Sequence, residues 1–499
     1  MGLARTLSRG QAGLDSYLVT VEVHVAGGLP GFTVTGLPEA AVRESKDRVR
    51  AALANSNLQI PASRITVHLG PADIRKTGGR FDLAIALGVV LAQQESPWRV
   101  EGIEFLGELA LNGELRPIKG ALPAVLAARE SGHPLVLPAA NGAEAALVSD
   151  AEVYTAAHLD EVVQHLRGDR PLTRVAARTD PVTLGSALDI ADVRGQTFAK
   201  RALVVAAAGS HNLLMIGPPG SGKSMLAERV SGLLPPLTHD EMLRVASIAS
   251  VAGEPRAAEP TLSPPFRAPH HTTSAQALVG GGTRPRPGEI SLAHRGVLFL
   301  DELPEFARGA LEALREPLES GVARISRVHE QLAFPAEFML VAAMNPCFCG
   351  YLGDGTDRCK CTPYKLEQYR SRISGPLLDR FDLHIAVPRV SFTDIAEPEE
   401  RGESAALRET IVAARAVQLE RGGRLNARLD SRALWRVVKL GAEQRALLKR
   451  AADRWQLSAR SSLRVLKVAR TIADLEQSGA VTTAHVAEAL QLRCRDPVR

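Results

Sequence analysis

Aromatic side chains are scarce: Phe, Trp and Tyr supply only 4% of the 499 residues, with three tryptophans and five tyrosines among them. Stacking is therefore excluded as the dominant binding mode along this surface. Also missing is an apolar run of the roughly 18 to 20 residues that a bilayer crossing needs; the longest candidate, residues 81–92, already contains Asp82. The opening MGLARTLSRGQAG lacks the apolar stretch of a secretory signal. A cytoplasmic protein with no membrane partner is expected. Five cysteines in a long chain of that kind stay reduced, which excludes a disulfide scaffold. No internal repeat of about 20 to 50 residues is visible, so a solenoid is excluded.

A strong charge of one sign is lacking as well, since 60 Lys and Arg stand against 55 Asp and Glu for a net +5. Its distribution is more informative. Residues 1–170 carry −3, residues 171–395 carry +1 and residues 396–499 carry +7, so any polyanion contact is expected toward the C-terminal end.

What is present suits about three domains, each large enough for its own core, in a multidomain α/β chain. Residues 1–167 alternate β-like runs (17–25, 64–69, 102–111, 134–137) with helix-like runs (39–55, 81–93, 122–130), an α+β or α/β pattern. Asn112-Gly113 between two such runs reads as a type I′ hairpin turn, which needs positive φ at both positions. Residues 168–187 are polar, contain two prolines and have no period, as in a linker. A second α/β segment covers 188–392. The remainder, 393–499, is helical in pattern and rich in Ala, Leu and Arg.

The apolar residues 212–216 run directly into GPPGSGKS at 217–224, and a helix-like MLAERVSGLL follows. This is GxxxxGK[ST] in its required strand-to-helix context. Gly217, Pro218, Pro219, Gly220, Ser221 and Gly222 form a loop whose backbone N–H groups turn inward around phosphate oxygens, aided by the helix N-terminus. Lys223 is expected on the β- and γ-phosphates and the Ser224 hydroxyl on Mg²⁺. GVLFLDE at 296–302 is a buried-type strand ending in two carboxylates: Asp301 is expected in the Mg²⁺ shell and Glu302 beside the attacking water. VAAMN at 341–345 ends a further apolar strand on Asn345, where a sensor of the γ-phosphate would sit. The order of phosphate loop, acidic strand, Asn strand and helical region is that of an AAA+ ATPase, with ATP and Mg²⁺ as cofactors.

Arg380, in GPLLDRFD, is the candidate guanidinium set against a γ-phosphate, supplied in ring ATPases by an adjacent subunit. Arg460, Arg464 and Lys467 recur at i, i+4 and i+7, which reads mostly as a solvated face. Arg460 is the candidate second sensor reaching the nucleotide from the lid. Cys347, Cys349, Cys359 and Cys361 form two CxC pairs within fifteen positions, with Gly350, Gly353 and Gly355 between them. Four thiolates so placed suit a structural tetrahedral Zn²⁺ in an insert at 347–361, while Cys494 stands alone. PPFRAPHHTT at 264–273 reads as a structural or substrate-contacting loop containing His270 and His271. Residues 322–328 alternate as an exposed hairpin arm would, bringing Arg324 and Arg327 toward possible phosphate contact.

GPPGSGKS, PFRAPHHTTS, GVLFLDELPEF, REPLESG, FPAEFMLVAAMNPCFCG and RISGPLLDRFDLH, in this order, closely resemble the magnesium-chelatase-like AAA+ ATPases of the YifB/ComM type. The likeness extends to GPADIRKTGGRFDLAIALG and to LSARSSLRVLKVARTIADL, and so covers almost the whole chain. It implies an N-terminal domain with the fold of the Lon protease domain, an AAA+ core and a helical lid. It further implies a homohexameric ring that uses ATP to migrate branched DNA during natural transformation, helping the recombinase integrate incoming single strands, with branched or single-stranded DNA and recombination proteins as partners. Proteolysis is not expected, because Lon-type catalysis needs a Ser nucleophile and a Lys base. No serine occurs from Arg64 to Glu95, and Leu122 or Pro123 stands where the lysine would fall. The competing expectations are a chelatase-type ATPase driving metal into a tetrapyrrole and a protein-remodelling ATPase with no DNA partner.

Overall fold

The computed structural model describes residues 2–94, 98, 100–178, 188–259, 261–282, 285–326, 331–390 and 402–494. Two compact units emerge. One comprises Met1–Val182 with Met242–Pro260, the other Thr183–Glu241 with Thr261–Arg499. Residues 179–187 of the expected linker lie outside the described residues.

The first unit is built on an eight-stranded mixed sheet in the order Thr173–Arg174, Val153–Ala156, Leu135–Pro138, Glu104–Phe105, Gly2–Ala12, Asp15–Ala26, Arg64–Gly70, Gly31–Thr35. Alternation sorts its faces: Val19, Val21, Val23 and Val25 of one strand and Ile65, Val67 and Leu69 of the next are all buried. They pack with helix Asp82–Leu91, whose residues 82–90 are buried throughout, as expected for a helix apolar on every side. Asp82 is the polar exception, and it accepts hydrogen bonds from Ser45, Arg48 and the Leu109 N–H. The hairpin at Asn112-Gly113 forms between Glu108–Leu109 and Leu115–Arg116. Its turn is not type I′: only Gly113 has positive φ (93°), and its N–H donates to the Ala110 carbonyl at 3.0 Å.

Helix His239–Ala252 departs from the sequence reading, which places it in the ATPase segment. From Met242 on it belongs to the first unit. The Ser250 carbonyl accepts from the Gly120 N–H at 3.0 Å and the Ser250 hydroxyl accepts from the Leu122 N–H at 3.3 Å. Linear sequence carries no sign of this docking, because the partners are about 130 residues away in the chain.

The second unit holds a five-stranded, all-parallel sheet in the order Phe266–Arg267, Val297–Leu300, Met339–Met344, Leu213–Ile216, Leu383–Ala386. The three central strands are buried along their whole length, as parallel strands covered on both faces must be. Helices Glu403–Gly422, Ser431–Val437, Ala442–Trp455, Ala459–Leu475 and Thr483–Cys494 follow. Val465, Val468 and Ile472 share one apolar core with strand residues Leu213, Val341 and Leu383. Asp189 ties residues 188–192 to the start of the helical segment. Burial pushes its carboxyl up, but N–H donors from Ala191, Ser404 and Gly402 outweigh that and hold it at about 2. Among the described residues no helix is long and apolar enough to cross a membrane.

Candidate nucleotide and metal site

Strand Leu213–Ile216 delivers the chain to Gly217, and helix Lys223–Leu233 starts at Gly222. Gly220 and Gly222 have φ of 74° and 88°, a region that side-chain-bearing residues rarely adopt, and open space surrounds both. The Lys223 ammonium donates to the Gly217 and Pro218 carbonyls at 2.7 and 2.9 Å and to Asn345 Oδ1 at 3.3 Å. Burial lowers its pKa from the ordinary lysine value, against the opposing pull of Asp301. The Ser224 hydroxyl donates to Asp301 Oδ2 at 2.7 Å, and Asp301 Oδ1 accepts from the Glu302 N–H at 2.9 Å. Neighbouring ligands of an octahedral Mg²⁺ lie about 2.9 Å apart, given metal–oxygen distances of about 2.0–2.1 Å. The Ser224–Asp301 oxygen pair fits that spacing. Lys223, Ser224, Asp301 and Asn345 are thus gathered from three adjacent strands.

Glu302 projects from a backbone at φ 51°, ψ 46°, and is exposed. His271 Nδ1 lies 3.2 Å from its Oε2. The sequence reading missed this pair, which the parallel pairing of the two preceding strands makes possible. Phe266 and Arg267 pair in parallel with Val297 and Leu298, so both chains leave the sheet at the same end, where the loop carrying His271 meets Glu302. The adjacent histidines of the PHHTT loop were the available signal.

Arg380 does not reach this cluster. Its guanidinium donates to the Arg315 and Pro376 carbonyls at 3.0 and 2.6 Å and pairs with Glu319 at 2.7 Å. It lines a cavity of about 400 Å³ with Glu312, Arg315, Glu316 and Glu319. Burial lowers its pKa against the opposing pull of Glu319, and the nearby cations of Arg315, Arg464 and Arg460 add to the lowering. Arg460 is exposed at the start of helix Ala459–Leu475, and none of the described hydrogen bonds ties it to the phosphate loop. The expectation of a solvated face fails for its two neighbours. Arg464 pairs with buried Asp382 at 2.6 Å, and Lys467 donates to the Ala427 carbonyl at 2.9 Å with its pKa lowered by burial. Helical spacing places these residues on one face but cannot say what that face packs against.

The hairpin arm forms from Val322–Ser326 and Gln331–Pro335, where Arg324 pairs with Glu316 at 2.9 Å. Arg327 lies outside the described residues.

The four cysteines converge, with all Sγ atoms within 4.8 Å of one another. Cys347 Sγ is 3.3 Å from Cys349 Sγ and 3.7 Å from Cys359 Sγ. A tetrahedral Zn²⁺ with Zn–S bonds of about 2.3 Å separates its sulfurs by about 3.8 Å, so the cluster has the donor set and nearly the spacing of a closed structural site. Burial pushes the Cys349 thiol up, but the Tyr351 N–H and neighbouring thiols outweigh it and hold it at about 7. The cysteine loop also abuts the nucleotide site. A Cβ on Gly350 would stand 2.7 Å from Pro219 Cδ, and the Tyr369 hydroxyl donates to the Asn345 carbonyl at 3.2 Å. Phe348 meets Tyr369 edge-on at 6.0 Å. Cys494 lies at the end of the last helix, Thr483–Cys494.

Three family models match the chain. "Magnesium chelatase, subunit ChlI" matches residues 189–395, "Subunit ChlI of Mg-chelatase" residues 21–141, and "Magnesium chelatase, subunit ChlI C-terminal" residues 401–493. Competence protein ComM of Haemophilus influenzae is 48% identical over 499 residues, spanning 99% of this chain and 98% of that protein. The chain belongs to the ComM/YifB family. Uncharacterized YifB proteins of Escherichia coli and Salmonella typhimurium are 44% and 43% identical, again over 99% of this chain and 98% of theirs. A magnesium-chelatase 67 kDa subunit of Heliobacterium mobile is 28% identical over 200 residues, 34% of this chain and 30% of that one. ComM/YifB membership and the magnesium-chelatase match over the parallel-sheet core support an AAA+-type ATPase.

Proposed function

We propose that this ComM/YifB protein is an ATP-hydrolysing ring motor that drives branch migration of DNA in recombination and natural transformation. The observation that carries the motor is the convergence of Ser224 with Asp301 at 2.7 Å and of Lys223 with Asn345 at 3.3 Å. These residues would hold Mg²⁺-ATP, whose phosphoanhydride supplies the energy for movement. In this reading Lys223 and the loop N–H groups bind phosphate oxygens, while Ser224 and Asp301 bind the metal ion. Glu302, oriented by His271, takes the proton of the attacking water. Arg380, remote from the site of its own chain, acts on the nucleotide of a neighbouring subunit in a hexamer, and Arg460 reports from the lid. Cys347, Cys349, Cys359 and Cys361 hold a structural Zn²⁺ that fixes the loop beside Asn345 and Pro219. The first unit serves as a Lon-like platform without peptidase function.

The DNA substrate is supported by similarity over nearly the full length to the Haemophilus competence protein, whereas the Heliobacterium chelatase subunit is matched over only 34% of this chain. Forked or four-way DNA should stimulate ATP hydrolysis and should be unwound or migrated, with both activities lost in Lys223→Ala. Purified hexamer whose turnover ignores DNA at low salt refutes the proposal in favour of a chelatase-type or protein-remodelling ATPase.

A further inference from the structure

Seven of the fourteen described lid arginines are occupied inside the protein. Arg421 pairs with Asp474 at 2.7 Å, Arg464 with Asp382 at 2.6 Å, and Arg415 donates to the Ala207 carbonyl at 2.6 Å. Residues 431–455 differ. They carry seven Lys and Arg against two Asp and Glu, a net +5 that equals the charge of the whole chain. Arg432, Arg436 and Lys439 lie on or just beyond helix Ser431–Val437; Arg445, Lys449, Arg450 and Arg454 lie on helix Ala442–Trp455. All seven are exposed, and among the described residues none closes an ion pair or a side-chain hydrogen bond. Arg436 acts electrostatically on the Asp430 carboxylate, but Asp430 is committed to capping the first helix through the Ala433 N–H at 2.8 Å.

Two of the chain's three tryptophans lie in this same stretch. Trp435 is 52% exposed and Trp455 36% exposed, in a protein with few aromatics anywhere. The third, Trp98, is partly buried in the core of the first unit, with the Arg167 guanidinium 5.2 Å from its ring centroid. Four residues join the two helices, and Val438 and Leu440 among them are buried, so the linking turn is anchored. Unpaired cations and exposed indoles thus alternate along the sequence of two helices, one packed on Ala459–Leu475 and the other on Thr483–Cys494, and that combination is the chemistry that binds a sugar–phosphate chain with unstacked bases. Duplex DNA hides its base faces, and an acidic peptide would neutralise the cations while leaving the indoles without planar partners.

We infer that the lid surface formed by residues 431–455 binds single-stranded DNA, with Trp435 and Trp455 as stacking platforms and the flanking arginines and lysines on phosphates. This inference rests on the DNA-motor reading and adds to it a second contact away from the nucleotide site. The test uses full-length protein and a fluorescein-labelled dT20 oligonucleotide, read by anisotropy, with unlabelled dT20 for intrinsic tryptophan emission in a Trp98→Phe background. Bound dT20 should quench that emission. Trp435→Ala and Trp455→Ala should each weaken dT20 binding at least about fivefold, and Trp435→Phe should recover part of the loss. Arg450→Gln should reduce the slope of log K against log salt by about 0.7. Unchanged melting temperature and DNA-independent ATPase in these variants would establish that the fold is intact. The inference is overturned if the variants bind dT20 as the parent does, if emission ignores bound dT20, or if polyglutamate displaces dT20 at matched charge. Failure of DNA to stimulate ATPase, with lid variants still weakened, would overturn the motor alone.

Discussion

Glu302 offers a perturbation in which function and stability should move in opposite directions. Its φ of 51° lies in the left-handed region, where a residue with a Cβ is strained by about 1–2 kcal/mol. Glycine escapes that strain but loses more backbone freedom on folding, a cost of about 0.4–1 kcal/mol. Glu302→Gly should therefore be about 0.5–1 kcal/mol more stable than Glu302→Ala, a melting shift of about 1–3 °C for a unit of this size. The His271 contact is lost equally in both, and with Glu302 56% exposed it is worth a few tenths of a kcal/mol at most. Turnover should fall in Gly, Ala and Gln variants alike by about 10²–10⁴, the usual contribution of a positioned base, or about 3–5 kcal/mol of barrier. Calorimetry and steady-state ATPase assays on the same preparations read both quantities. A Gly variant no more stable than the Ala variant refutes the strain argument, and Glu302→Gln retaining turnover within threefold refutes the base assignment.

His384 is half-buried with its Nε2 enclosed, and the loss of water around the ring, reinforced by the Arg493 cation, pushes its imidazole down to about 3, whereas an unfolded histidine titrates near 6.5. Below about pH 6.5 the unfolded chain takes up a proton that the folded chain refuses, so stability should fall by about 1.4 kcal/mol per pH unit toward pH 3. Urea midpoints at pH 7, 6 and 5 should shift in wild type and stay flatter in His384→Met; parallel curves would exclude this group. Asp382 is 2% exposed, and removing its 2.6 Å partner in Arg464→Met should cost about 3 kcal/mol in urea unfolding. A loss below about 1 kcal/mol would show that its other neighbours, the Asn212 N–H at 3.1 Å and His211 Nδ1 at 3.5 Å, suffice for it. Freshly purified, reduced protein should carry about one Zn²⁺ per chain. Cys347→Ser should lose the metal and raise KM for ATP through the displaced Asn345 loop, whereas a metal-free variant with wild-type KM would separate the cluster from the nucleotide site.

Much of the nucleotide site was legible because its chemistry is local. Gly220 and Gly222 announce positive φ, and an apolar strand ending in Asp301 needs no distant partner to be recognised. The cysteine spacing also implied convergence within one short loop. What escaped was whatever depends on pairing across the chain. His271 meets Glu302 where the parallel strands Phe266–Arg267 and Val297–Leu300 leave the sheet at the same end. Arg464 and Lys467 share a face with Arg460, but buried Asp382 and the Ala427 carbonyl claim them.

From residue order alone follow the phosphate loop, the carboxylates, the cysteine quartet, the scarcity of aromatics and the basic C-terminal end, because each is a property of composition or short spacing. Tertiary structure alone decided that helix residues 242–252 join the first unit, that the Arg380 guanidinium is taken by Glu319, and that about half of the described lid cations are internal. It also left those of 431–455 in solvent beside two exposed tryptophans. The physical reason is that burial and ion pairing are set by what lies opposite a side chain, and sheet register and helix docking choose that neighbour from residues a hundred or more positions away.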